Sequence, residues 1–323
     1  MLRYLARRLV FAALLVLLAS SAALLLTRLA PGDIAGELVA SGAAPEVVAR
    51  ERARHGLDRP LLAQYTDWLR RAAVLDFGIS MRYQRPVTEL LQQRGVNTAI
   101  LALVALLLST LIGLPAGIVT GSRRTGWLPS LLRGSSLVLL SLPSLVTSLL
   151  LVLFAARTGW LPIGGMVSAT SGEVQGWAPW LADLGWHLVV PAVALALPLA
   201  AMIERVQAQS MAAALAQPFT LASLARGVPR GRLVWRNTLR ASAGPVASTY
   251  GFVLGALLGG SFVVEVVTAW PGLGLLMYDA LRARDMYLVA GCAAAGAAFL
   301  ALGTFVSDLA LAWADPRLRR SGA

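Results

Sequence analysis

The feature that most constrains this chain is a series of long apolar segments, each without charged residues. The first covers residues 9–26, which are 18 positions without an acidic or basic side chain. A helix of that length can cross the hydrocarbon core of a bilayer. Hydrophobic residues make up 57% of the 323 positions and charged residues only 14%, too few charges to cover such a surface in water. We therefore expect an all-α integral membrane protein that has lipid as its solvent.

The first apolar run allows two interpretations. Arg3, Arg7 and Arg8 precede it, which is the order of regions in a secretory signal peptide. The run is long enough to span, however, and no A-x-A cleavage site is followed by a plausible mature start. We therefore assign residues 1–29 to a cytoplasmic N-terminus and a retained first membrane helix.

Six membrane spans are predicted along the chain. Internal prolines at positions 115, 143, 191 and 198 are compatible with membrane helices, because neighbouring groups can satisfy the backbone that a proline frees. The first span lies within 1–29, and the others lie at 97–121, 134–156, 186–203, 246–264 and 288–307. The last five belong to a core region of 97–313.

The basic residues predict the orientation of these spans. All of them are arginine, and 28 basic against 16 acidic residues give a net charge of +12. Arginines cluster in the N-terminus, in 122–133, in 217–248 and in the tail 314–323, and such clusters mark the cytoplasmic side. Both termini are therefore expected in the cytoplasm. No nucleic-acid recognition motif accompanies the charge, so anionic lipid is the expected partner and nucleic acid is not.

The only long polar segment, 30–96, has nearly balanced charge. It contains nine arginines and eight acidic residues, and long loops of this kind can cross a membrane whatever their charge. A helical pattern starts at Pro45, and apolar residues recur at helical spacing from Leu61 to Leu69. We expect a small extracytoplasmic helical subdomain between the first two spans.

The sequence argues against several kinds of chemistry. The chain has no lysine, and a phosphate-binding P-loop requires one, so ATP hydrolysis is not expected here. The middle of each predicted span has no ionisable residue, which disfavours an ion-coupled carrier. Protease motifs are absent, and the single cysteine, Cys292, excludes an internal disulfide or a multi-cysteine metal site. We predict no catalytic residues, no metal ligands and no cofactor on this chain.

The most informative loop is the predicted cytoplasmic connection 209–245. The stretch from Gln217 to Ser248, which covers most of this loop and the first residues after it, contains five arginines and no acidic residue. Gly227-Val228-Pro229 separates two helix-compatible pieces within it. Small residues stand close together before the break, at Ala222, Ser223, Ala225 and Gly227. They would let another protein approach the backbone closely. The alternative is a basic cytoplasmic loop that only fixes the orientation of the membrane spans.

A second unusual stretch is 265–287, which is amphipathic and too polar to cross a membrane. A turn signal, Pro271 to Gly274, directly follows Trp270. We predict an interfacial or re-entrant elbow on the outer side, with a simple hairpin as the alternative.

The motifs of the chain resemble those of one transporter family. EVVTAWPGLGLLMYDALRARD, starting at Glu265, is similar to the signature of the dipeptide, oligopeptide and nickel family of ABC importer permeases. The resemblance extends over essentially the whole chain and is closest to the first, "B"-type, permease subunit. Further matching motifs occur in the same order: Pro31-Gly32-Asp33, Gly56-Leu57-Asp58-Arg59-Pro60, Asp76-Phe77-Gly78-Ile79-Ser80, Arg85-Pro86-Val87 and Asp315-Pro316-Arg317.

The resemblance implies a permease of the MetI-like fold in the bacterial cytoplasmic (inner) membrane. It also implies a homologous second permease, two ABC ATPase subunits that bind ATP and Mg, and an extracytoplasmic solute-binding protein. The residues that it assigns to ATPase coupling are Pro218, Phe219, Thr220, Leu221, Ala222, Ser223, Ala225, Arg226 and Gly227. Those that it assigns to an outer elbow or gate are Glu265, Trp270, Pro271, Gly272 and Gly274.

The coupling segment departs from the family pattern at two positions. Pro218 stands where the family has an acidic residue, and Leu221 where it has a polar one, which implies a more apolar docking face. Pro218 remains suited to the first turn of a helix. Peptides are the expected solute, with nickel chelates or glutathione-like compounds as alternatives. A membrane scaffold subunit without transport is the alternative of another class.

Overall fold

The computed structural model describes residues 2–29, 39, 42–54, 58–123, 125–168 and 176–314, and these are helical apart from their connections. The motifs at Pro31-Gly32-Asp33, Gly56-Leu57 and Asp315-Pro316-Arg317 lie outside the described residues. The helices are α1 (Leu2–Leu29), α2 (Pro45–Arg54), α3 (Leu61–Ala72), α4 (Val87–Ser122), α5 (Trp127–Ser141), α6 (Ser144–Thr158), α7 (Trp177–Leu215), α8 (Pro218–Ala225), α9 (Arg230–Arg232), a π-helical segment (Leu233–Thr238), α10 (Leu239–Val267), α11 (Leu273–Arg282) and α12 (Met286–Ala314).

The prediction of an all-helical, multi-span membrane protein is confirmed. Within the described part of the chain, five helical stretches are long and apolar enough to cross a membrane, and a bent pair would add a sixth. The five stretches are Ala6–Leu29, Val87–Ser122, Trp177–Leu215, Arg230–Val267 and Met286–Leu309.

The predicted third span, 134–156, differs from the structure. It is divided between α5 and α6, each of 15 residues, and their axes are bent by 105°. Leu142 ends α5 in an extended conformation, as expected for the residue before a proline, and Pro143 then precedes α6. The sequence predicted an interruption of this span at Pro143, and the helix breaks there.

The helix that contains the predicted fourth span, α7, extends beyond the predicted range of 186–203. α7 continues to Leu215, so Glu204 lies inside the helix rather than at its exit. Its side chain is only 4% exposed, and it accepts a hydrogen bond from the Thr120 hydroxyl. Glu204 is therefore a buried carboxylate that the sequence analysis did not identify, because one residue cannot reveal that a hydroxyl on another helix faces it.

The described chain divides into two compact units. The first combines the residues up to Thr98 with Pro271–Ala301. One apolar cluster in this unit joins the start of α4 to α11 and α12, and another brings Leu24 of α1 together with Trp68 of α3 and Ala290 of α12. The polar segment predicted as a helical subdomain thus contains α2 and α3, and α3 packs on membrane helices through Trp68.

The second unit combines Ala99–Trp270 with the residues from Leu302 onward. Its core is apolar and includes Leu101, Ala105, Leu188, Leu195, Leu199, Val253, Leu257 and Trp270.

A glycine stripe brings α4 close to α7 in this unit. A Cβ atom added to Gly117 would lie 2.5 Å from the Gln207 Cβ and 2.7 Å from the Glu204 carbonyl oxygen. Cβ atoms added to Gly113 and Gly121, one turn to either side, would each lie 2.6 Å from a backbone carbonyl oxygen of α7. Small residues four apart are a typical way for membrane helices to approach. The spacing of these glycines is visible in the sequence, but the helix that they face is not.

Candidate functional site

The candidate coupling segment begins with a short helix that is anchored to the end of α7. Gln217 is extended and Pro218 occupies the first turn of α8, where its missing N–H costs nothing. The Thr220 backbone N–H donates to the Gln217 carbonyl at 3.0 Å, and its hydroxyl donates to the Ala214 carbonyl of α7 at 3.1 Å. These bonds hold α8 against the helix that precedes it.

The two faces of α8 differ in exposure. Thr220 and Ser223 are buried, at 4% and 3% exposed, and the Ser223 hydroxyl donates to the Phe219 carbonyl at 2.7 Å. The opposite face is apolar and exposed, with Leu221 70% and Leu224 46% exposed. Phe219, Ala222 and Ala225 are also exposed. Of the small residues predicted to approach a partner, Ser223 therefore faces inward, while Ala222 and Ala225 face outward.

Gly227 ends α8 in a conformation that favours glycine. Its φ angle is +77°, in the left-handed region. The Gly227 N–H donates to the Leu224 carbonyl at 2.9 Å and the Val228 N–H to the Ser223 carbonyl at 3.1 Å, the bond pattern of a Schellman motif. No atom lies within 4 Å of a Cβ added there. Within the described residues, glycine is thus favoured at 227 by the backbone angle and not by a close neighbour.

The second helical piece of the loop contains an irregular turn. Leu233–Thr238 is π-helical, and the Thr238 hydroxyl donates to the Leu233 carbonyl five residues back at 3.0 Å. Leu233 and Val234 are buried, whereas Trp235 is 56% exposed. π-Helical turns are rare and frequently occur at functional sites. All five arginines of the loop are exposed, so α8 stands on a strongly basic surface (Arg226, Arg230, Arg232, Arg236, Arg240).

The predicted elbow residues are divided between the two units. In the second unit, Glu265 lies in the last turn of α10 and is fully buried, as is Trp270. The Trp270 N–H donates to the Glu265 carbonyl at 2.9 Å, and Ala269 between them has a left-handed φ of 51°. The predicted elbow therefore begins after Val267, and Glu265 is helical.

In the first unit, the proline-glycine turn is attached to the first third of α4. The Asn97 side-chain amide donates to the Pro271 carbonyl at 2.8 Å, and the Leu273 N–H donates to the Thr98 hydroxyl at 2.8 Å. Gly272 and Gly274 are buried, and α11 starts at Leu273. The turn is thus a packed, hydrogen-bonded entry into a helix.

The sequence analysis missed a buried carboxylate just after this helix. Asp285 is fully buried at the start of α12, where its Oδ1 accepts the Leu288 N–H at 3.1 Å. Its Oδ2 accepts the Ser80 hydroxyl at 2.6 Å and the Arg82 N–H at 3.1 Å. An aspartate before an apolar helix is a recognisable N-cap signal, but its bond to Ser80 depends on tertiary structure.

The described residues bear on two further predictions, which concern metal ligands and the single cysteine. Across those residues, no group of three or more His, Cys, Asp or Glu side chains is placed to hold a metal ion. Cys292 is buried in the apolar cluster of α4, α11 and α12.

The long apolar helices, joined by an exposed basic loop that carries its own short helix, define a multi-pass helical membrane protein. The chain belongs to the family described as binding-protein-dependent transport system inner membrane component, whose model matches residues 113–320. The N-terminal model of the same system matches residues 1–102. The family predicted from the sequence is therefore confirmed.

Alignments with several similar proteins cover essentially the whole chain. A protein of Brucella suis biovar 1 named as a peptide permease is 33% identical over 324 residues, which are 99% of each chain. A protein of Sinorhizobium fredii named as a peptide ABC transporter permease is 31% identical, over 98% of this chain and 99% of its own. The oligopeptide transport system permease protein OppB of Mycobacterium bovis is 32% identical, over 99% of this chain and 100% of its own.

Proposed function

We propose that this chain is the permease subunit through which an ATP-driven ABC importer moves peptides across the bacterial cytoplasmic membrane. The three relatives above are named as peptide permeases, and each aligns over nearly all of its length. Nickel chelates and glutathione-like solutes are the alternatives within the same family, and a transport assay separates them.

The observation that carries the coupling role is the exposed apolar face of α8. Leu221 and Leu224 project from a basic loop, while buried Thr220 and Ser223 hold the helix to its own chain. An exposed apolar patch rimmed by charge is typical of a protein-protein contact. We assign this face to docking on an ABC ATPase subunit. The leucine at 221 makes the contact more apolar than the family pattern implies.

The proposed mechanism is alternating access. Two ATPase subunits bind ATP and Mg and close, and α8 transmits that motion to the membrane helices of this chain and of a homologous second permease. An extracytoplasmic solute-binding protein delivers the solute, and Glu265, Trp270 and the Pro271–Gly274 turn belong to the outer gate. Both termini lie in the cytoplasm. We assign ATP hydrolysis to the partner subunits, since this chain lacks the lysine of a P-loop.

Single-cysteine crosslinking tests the docking role. In a Cys292→Ser background, Leu221→Cys is compared with Leu62→Cys, because these leucines are 70% and 71% exposed but lie in segments assigned to opposite sides of the membrane. In the purified complex, a bifunctional thiol reagent should join position 221, but not 62, to the ATPase subunit. Crosslinking through 62 alone would refute the assignment.

Reconstituted vesicles test the transport role. ATP-dependent uptake of a labelled peptide in the presence of the binding protein is the expected result. An assembled complex that hydrolyses ATP without moving peptide, a nickel chelate or glutathione would instead support the scaffold alternative.

A further inference from the structure

Thr120 joins three helices in the second unit. It is buried in the last turn of α4, and its hydroxyl donates to the buried Glu204 carboxylate of α7. Carbonyl groups of a last turn lack partners in their own helix. The Thr120 carbonyl instead accepts a hydrogen bond from the Arg133 guanidinium of α5 at 2.7 Å. One residue thus attaches the end of α4 to both α5 and α7.

The carboxylate of Glu204 depends on the Thr120 hydroxyl. Glu204 is 4% exposed and, among the residues that the structure describes, it has no other hydrogen-bond or ion-pair partner. An acidic side chain buried in a membrane protein is costly, and such residues commonly mark functional positions. The docking face of α8 and the outer gate give Glu204 no role.

A second polar contact extends this junction to α10. Gln207, one turn beyond Glu204 on α7, is fully buried, and its side-chain amide donates to the buried Ser242 hydroxyl at 3.1 Å. Gly117 brings the backbone of α4 against the same part of α7. Because the helices meet through hydrogen bonds and a close backbone approach, we expect α4, α7 and α10 to move together here.

The junction is connected to α8 through α7. The Ala214 carbonyl near the end of α7 accepts the Thr220 hydroxyl of α8 at 3.1 Å. Glu204 and Ala214 lie on one uninterrupted helix, about 15 Å apart along its axis. A displacement of α8 therefore reaches Glu204 through a continuous helix, and the bond to Thr120 is the side-chain contact that passes it on to α4.

We propose that Thr120 and Glu204 are positioning residues for coupling, because their hydrogen bond makes α4 follow the movement that α8 imparts to α7. This inference rests on the docking role and the alternating access proposed above. Without the bond, α7 moves while α4 lags, so ATP hydrolysis continues but fewer solute molecules cross for each ATP. A bond that served stability alone would lower both activities together.

Uptake and ATP hydrolysis, measured together in reconstituted vesicles with the binding protein, test the proposal. Thr120→Val keeps the shape of the side chain but removes the hydroxyl, and should raise the ATP consumed per peptide about threefold or more. Thr120→Ser retains the donor and Glu204→Gln retains an acceptor oxygen. Both variants should therefore stay within about twofold of the unaltered complex.

Thr110→Val is the matched control. Thr110 also lies on α4, and its hydroxyl forms a hydrogen bond with that of Tyr250 on α10 at 2.9 Å. The change removes a bond between helices about 15 Å from Thr120, so the ATP consumed per peptide should stay within about twofold. Melting temperatures confirm that each variant is folded.

Hydrogen exchange tests the junction without transport. In the full-length chain in phosphatidylcholine nanodiscs, Thr120→Val should accelerate exchange of the α8 amides about threefold or more. Thr110→Val should leave their exchange within about twofold of the unaltered chain.

Three results would overturn the proposal. These are an unchanged ratio of ATP to peptide in Thr120→Val, losses of uptake and ATP hydrolysis in equal proportion in that variant, or unchanged exchange of its α8 amides. If the unaltered complex moves no solute, the transport function is refuted, and the exchange measurement by itself decides whether the junction couples α8 to α4.

Discussion

The buried carboxylate of Asp285 accepts a hydrogen bond from the hydroxyl of Ser80, with 2.6 Å between Oδ2 and Oγ. The same carboxylate caps α12 through the Leu288 N–H, so one side chain attaches the segment before α4 to the start of the last helix. The Ser80 hydroxyl also accepts the Tyr83 N–H at 3.1 Å. Both residues belong to the first unit, and Ser80 lies in the Asp76–Ser80 motif that matched the family.

Removing the Ser80 hydroxyl should destabilise the protein by about 1.5–3 kcal/mol, because the bond involves a buried charge. In a double-mutant cycle, Ser80→Ala and Asp285→Asn should be coupled by about 0.5–3 kcal/mol, measured by denaturation in detergent. Ser135→Ala, which removes an exposed hydroxyl bonded within its own helix, should cost less than about 0.5 kcal/mol. Additive effects of the first two changes would contradict the direct bond.

Replacing Gly227 should affect function through the backbone. Gly227→Ala forces a side chain into the left-handed region, at a cost of about 1–2 kcal/mol, and should reduce ATP-dependent uptake. Gly227→Asn should retain more activity, since asparagine tolerates that conformation. Gly231→Ala serves as the control, because it lies in the same loop with no neighbour within 4 Å and no left-handed φ. Equal losses at 227 and 231 would refute the conformational explanation.

A charge introduced on the exposed face of α8 should prevent docking of the ATPase subunit without affecting the folding of this chain. Leu221→Glu should leave the melting temperature nearly unchanged, because the side chain is 70% exposed, but should abolish co-purification of the ATPase subunit. Leu62→Glu introduces the same charge at a site 71% exposed and should leave co-purification intact. Normal ATPase binding by Leu221→Glu would exclude this face as the docking surface.

Replacing a glycine of this stripe with a larger residue should destabilise the second unit. Gly117→Ala places a Cβ atom 2.5 Å from the Gln207 Cβ, so α4 and α7 must separate, and overpacking of this kind costs about 1–3 kcal/mol. Gly134→Ala adds the same atom in α5 with no neighbour within 4 Å and should be neutral or slightly stabilising. Thermal denaturation in detergent compares them, and equal melting temperatures would contradict the close approach.

Much of the architecture was predictable from local sequence. The apolar runs indicated the membrane helices, the break at Gly227-Val228-Pro229 separated α8 from α9, and Pro45 and Leu61 marked the starts of α2 and α3. These predictions succeeded because hydropathy, helical spacing and turn residues act over a few neighbouring positions. The motif match identified the family for the same reason, since its residues are close together along the chain.

The tertiary structure decided which residues face one another. It divided the predicted third span at Pro143 into two helices bent by 105°, buried Glu204 against Thr120, and turned Ser223 inward while Leu221 faces outward. It also joined Ser80 to Asp285 across 205 positions of sequence. The sequence by itself determined that lipid surrounds the helices and where most of them run. Burial and pairing of the polar side chains depend on contacts between distant segments, and those arise only when the whole chain packs.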